Sequence, residues 1–125
     1  MVRLSQNRIQ IIMYIIRKYN PFGDDGSFDI DEFAGDIYVE FKKIYPDNKM
    51  LCSTFNNNLK VIFPGSLDKV ENNRRGRLTY FHTSTEDLRR GIEVYGIEHK
   101  KTRYGDIKRF IWLLADDLKN GAIII

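Results

Sequence analysis

Arg74, Arg75 and Arg77 crowd around Gly76, and Asn56, Asn57 and Asn58 run consecutively ahead of Lys60. These residue types recognise bases. Arginine makes a two-pronged contact to guanine O6 and N7, and asparagine does the same for adenine, at about 1–3 kcal/mol of discrimination each. Ser53, Thr54, Lys69 and Thr79 supply hydroxyls and cations of the kind that bind phosphate oxygens. Together with Asn56, Asn57, Lys60, Arg74, Arg75 and Arg77 they form a candidate nucleic-acid-binding set. The charge distribution agrees: residues 60–110 hold 12 Lys or Arg against 7 Asp or Glu, whereas the remainder is slightly acidic. Segregation of this kind favours one basic face for phosphates.

Other chemistries find little support. Cys52, His82 and His99 lack the spacing of a structural zinc site, so no metal and no cofactor is expected. Asp24-Asp25 is not followed by calcium-loop spacing. No nucleophile elbow or glycine-rich phosphate loop occurs, and no carboxylate pair sits beside a histidine. An enzyme is therefore not expected. A metal-dependent nuclease is the one enzymatic competitor, and plasmid cleavage abolished by a carboxylate mutation would reveal it.

The elements that must position these residues follow from periodicity. Ile9, Ile12, Met13 and Ile16 share one face of a first helix, capped by Ser5 and ended before Asn20-Pro21. Residues 21–27 read as a loop. Asp29 and Glu32 have the form of a capping box, which predicts a second helix with Ile30, Phe33, Ile37, Phe41 and Ile44 on one face. Its acids Asp31, Asp36 and Glu40 make it a poor surface for DNA. A third helix over residues 52–63 buries Cys52, Phe55, Leu59 and Ile62, is halted by Pro64-Gly65, and points Ser53, Thr54, Asn57, Lys60 and Val61 outward, with Asn56 and Asn58 at the flanks.

Strands over 67–70 and 78–82 make a hairpin with a basic tip, in which Leu78, Tyr80 and His82 are expected to face the helices. Thr83 and Glu86 offer a second capping box for a helix carrying Leu88, Ile92 and Tyr95. A last helix over 105–118 carries Ile107, Phe110, Ile111, Leu114 and Leu118, and the chain closes on an apolar run, Ala122 to Ile125.

Residues 52–63 resemble the third helix of the regulatory factor X type of winged helix: a small residue, Phe55, polar positions, an aliphatic residue, a basic residue and a closing Phe63. Arg74-Arg75-Gly76-Arg77 leading to Tyr80 resembles that family's wing, although Thr79 stands where the family has lysine. The resemblance implies that the wing enters the major groove while the third helix lies nearer the backbone and minor groove.

The expectation is thus an α+β, mostly helical fold: one domain over 1–125, with a winged-helix core over 5–82 and a helical extension over 83–125. Such a chain would bind double-stranded DNA through its third helix and basic wing, as a small regulator of transcription. The competing reading is a winged-helix assembly module that binds protein instead of nucleic acid. The C-terminal helix and tail suggest a homodimer. No membrane partner is expected, since no spanning or leader segment is legible, and the single cysteine suits a reducing intracellular compartment, nuclear or in a virus-infected cell.

Overall fold

The structure, a computed structural model, describes residues 6–23, 28–72 and 76–98, with 70–72, 76–78 and 96–98 by their backbone alone. It is a small, mostly helical α+β architecture. Among the described residues the order is α1 (Gln6–Tyr19), β1 (Asp29–Phe33), α2 (Ala34–Ile44), α3 (Cys52–Ile62), β2 (Leu67–Asn72), β3 (Gly76–Ser84) and α4 (Thr85–Glu98). The strands form one antiparallel sheet with β3 in the centre, in the order β1-β3-β2. The expected cap Ser5 and the expected helix over 105–118 lie outside the described residues.

Five consecutive residues of α1, Ile11 to Ile15, are buried. A helix covered on that much of its circumference must be central to the core. α2 and α3 each contribute one apolar stripe to it. Phe41 is the hub of an aromatic cluster, with Phe55, Tyr45 and Tyr14 at ring-centroid distances of 5.1, 4.9 and 5.9 Å.

Three expectations are corrected. Asp29–Phe33 is a strand, and helix α2 begins only at Ala34. Asp31, expected on a helix, therefore stands on the sheet, opposite His82. Second, the inward residue of β3 is Phe81, fully buried against Phe63 and Tyr19, so Tyr80 and His82 face outward. Third, the cap of α4 is Ser84 rather than Thr83: its Oγ accepts the Asp87 N–H at 3.1 Å. Thr83 stays in the strand, paired with Ile30.

Lys18 ties three elements together. Its ammonium donates to Glu32 on β1 and Glu40 on α2, both at 2.9 Å, and Tyr19 donates to the other Glu32 oxygen at 2.9 Å. Burial opposes the charge on Lys18, yet the hydrogen bonds to Glu40 and Glu32 prevail and hold its proton above the ordinary lysine range. Burial pushes the hydroxyls of Tyr14 and Tyr45 up to about 12, offset in part by Lys18 and Arg17 respectively, and moves Tyr19 upward as well.

All four groups keep their protons to higher pH in the folded chain than in the unfolded one. Their stabilising contribution is therefore complete below pH ~10 and is lost as pH rises through the folded values. Urea unfolding is expected to show constant stability from neutrality to about pH 9 and a steep fall between about pH 10 and 12. Tyrosinate absorbance should show these tyrosines ionising only as the chain unfolds.

Gly91 lets α4 meet the end of α3. A Cβ there would lie 2.6 Å from Phe63 Cδ1 and 2.9 Å from the Ile62 carbonyl oxygen. Alanine normally stabilises a helix interior by about 1 kcal/mol over glycine. Here the clash reverses the sign, because backbone cannot yield as a side-chain tip can. Gly91→Ala is expected to lower the unfolding free energy by about 1–3 kcal/mol in denaturant titration.

Candidate nucleic-acid interface

α3 has three faces, each with a different task. Phe55, Leu59 and Ile62 are buried. Asn58 belongs to a second face, turned toward α1. Its Oδ1 accepts from Arg8 Nε at 2.9 Å, and its amide nitrogen donates to the Thr54 carbonyl at 3.1 Å and Met50 Sδ at 3.3 Å. Arg8 in turn lies over the Tyr95 ring at 5.8 Å. Asn58 is therefore structural. The third face is the stripe Ser53, Asn56, Asn57 and Lys60, spaced i, i+3, i+4, i+7 along one side of the helix.

That stripe faces the hairpin. β2 and β3 pair Leu67 with Phe81 and Lys69 with Thr79. Phe81 closes the core, so alternation puts Lys69 and Thr79 on the same side, one step beyond the buried pair. Helix and hairpin enclose a groove lined by Ser53, Asn56, Asn57, Lys60, Leu67, Lys69 and Thr79. Six of these seven are residues that the sequence singled out. Leu67 was missed, and only its place at the start of a strand could have signalled that it forms the groove floor.

At about 410 Å³ the groove has the volume of a ligand pocket. Its lining is wrong for one, since small-molecule sites are predominantly apolar and aromatic and Leu67 alone is apolar here. Among the described residues the walls carry two hydroxyls, two amides and two ammonium groups, and no carboxylate. Neither Lys60 nor Lys69 makes an ion pair among the described residues, whereas Lys18 and Arg90 are paired with carboxylates. Both groove lysines keep their charge available.

The N-terminus of α3 adds to this. Its N-cap, Leu51, has no side-chain acceptor for the first-turn N–H groups, and the first turn holds no acid. Ser53 thus lies at the positive end of the helix dipole.

The other expected site residues are placed differently. Thr54 is exposed and does not line the groove. Arg77 is in β3, its backbone opposite Glu71. Arg74 and Arg75 lie outside the described residues. Asn56 is half-buried, with Oδ1 enclosed and without a hydrogen-bond partner among the described residues, while Asn57 is exposed. Of the two amides, Asn57 has the freedom to meet a partner.

No cluster of three metal-ligating side chains exists among the described residues, and none of their helices is long and apolar enough to cross a membrane. No family model, no curated protein and no solved structure matches the chain.

Proposed function

We propose that this chain is a winged-helix protein that binds double-stranded DNA through α3 and the β2–β3 hairpin, doing no chemistry on it, and serves as a small regulator. The observation that carries this reading is the convergence of the Ser53, Asn56, Asn57, Lys60 stripe with Lys69 and Thr79 on one groove that holds no acid among the described residues. The order helix, strand, helix, helix, hairpin supports the winged-helix reading, since such a fold presents a helix and a hairpin to the duplex together.

The roles divide by chemistry. Lys60 and Lys69 neutralise phosphates, the Ser53 and Thr79 hydroxyls donate to phosphate oxygens, and these contacts fix position without reading sequence. Asn57 and the hairpin arginines Arg74, Arg75 and Arg77 are the candidates for base edges. α2 keeps its acids, Asp36 and Glu40, off this surface.

Titrating a fluorescent random duplex at several salt concentrations tests the proposal. Each neutralised phosphate contributes about −0.9 to the slope of log affinity against log salt. A steep slope, flattened in an Arg74→Ala, Arg75→Ala, Arg77→Ala variant, is the expected result. Absence of binding at low salt would overturn the reading in favour of a protein-binding module.

A further inference from the structure

We propose that the outer face of the sheet, on the reverse side from the groove, is a docking surface for an arginine-bearing peptide segment of a partner protein. The proposal stands independently of DNA binding.

The register fixes what this face displays. Phe33 and Asp68 both pair with Tyr80, from opposite sides, so one row across the three strands reads Phe33, Tyr80, Asp68. Two residues along, Asp31 pairs with His82, and beyond that Asp29 pairs with Ser84. The rows are about 7 Å apart. No helix among the described residues covers this side: Asp31 and His82 side chains are each 62% exposed, and Asp29, Phe33 and Asp68 are exposed too. Among the described side chains, three carboxylates and two aromatic rings occupy the face, and no lysine or arginine of the strands points to it: Lys69 lies on the groove side.

Charge and shape together choose the occupant. A duplex is repelled by three carboxylates, and a neutral apolar partner would leave them desolvated and unpaired. A cation answers both problems. Phe33 and Tyr80 stack at 4.4 Å between centroids, tilted 32°, which presents a broad ring surface beside Asp68 and near Asp31. Guanidinium is planar, stacks on aromatic faces and bonds carboxylates in a two-pronged manner, whereas ammonium is a compact, strongly hydrated point charge. Arginine therefore fits better than lysine. His82, 4.0 Å from Asp31, is the weaker competitor for that carboxylate because its hold depends on protonation.

The test is a titration of isotope-labelled full-length protein with octaarginine, followed by amide chemical shifts, with octalysine and octaglutamate in parallel. Shifts concentrated at residues 29–33, 68 and 80–82 are expected. Affinity should fall about tenfold in Asp31→Asn with Asp68→Asn, exposed changes that leave the core intact. Phe33→Leu should remove the preference for octaarginine over octalysine.

Absence of binding would overturn the proposal. So would shifts spread over the acids elsewhere, Asp36, Asp47 and Glu86, unchanged affinity in the double variant, or equal affinity for octalysine in the unaltered chain.

Discussion

Phe55→Ala is expected to cost about 3–5 kcal/mol, the range for truncating a fully buried phenylalanine. Phe55 is 0% exposed and holds α3 to the Phe41 and Tyr38 rings, with centroids 5.1 and 5.6 Å away. Phe41, one wall of the void, is itself packed on Tyr14 and Tyr45, which limits collapse into it. With a denaturant slope near 2 kcal/mol per molar urea, the midpoint should fall by about 2 M. Domains of this size have roughly 5–15 kcal/mol in hand, so the variant would sit near the edge of folding. Asn57→Ala, two residues along on the exposed side, should change stability by less than about 0.5 kcal/mol. A loss under about 1 kcal/mol for Phe55→Ala would mean that α3 is not held as described.

The second large effect concerns the groove. Lys60→Glu together with Lys69→Glu should weaken duplex binding by on the order of a hundredfold at low salt and reduce the salt slope by about 2, because two phosphate contacts are lost and two repulsions gained. The appropriate control is Lys42→Glu with Lys43→Glu at the end of α2, which makes the same change in net charge away from the groove. If that control loses as much affinity, attraction is a matter of overall charge and the groove has no special part. Circular dichroism of both variants should be unchanged, since all four lysines lie outside the core.

The three faces of α3 were legible in the sequence because a local period determines them. Apolar residues at 55, 59 and 62 orient the helix, and its polar stripe follows. Strand β1 was not legible. Asp29 and Glu32 satisfy a capping box letter for letter, while the hydrogen bonds that make the segment a strand come from β3, some fifty residues on. The phase of β3 was read the wrong way for a similar reason. Leu78-Tyr80-His82 and the alternate set containing Phe81 both offer apolar residues, and only the packing of Phe81 against Phe63 and Tyr19 decides between them.

Asn58 shows the same limit within the candidate site. Nothing near it in sequence separates it from Asn56 and Asn57, and its partner Arg8 is on α1. The hairpin arginines were the loudest signal in the chain, yet it is the quieter lysines, one per element, that the fold brings together.

The pairing of Leu67 with Phe81 also determines which changes of length the hairpin can absorb over evolutionary time. Residues added or removed between Asn72 and Gly76 alter its reach and leave every strand partner in place. A single residue inserted between Leu67 and Asp68 would turn the rest of β2 over, sending the lysine to the acidic side and Asp68 toward the groove. Relatives of this chain should therefore differ freely in the length of the tip and hardly at all in the length of the two arms.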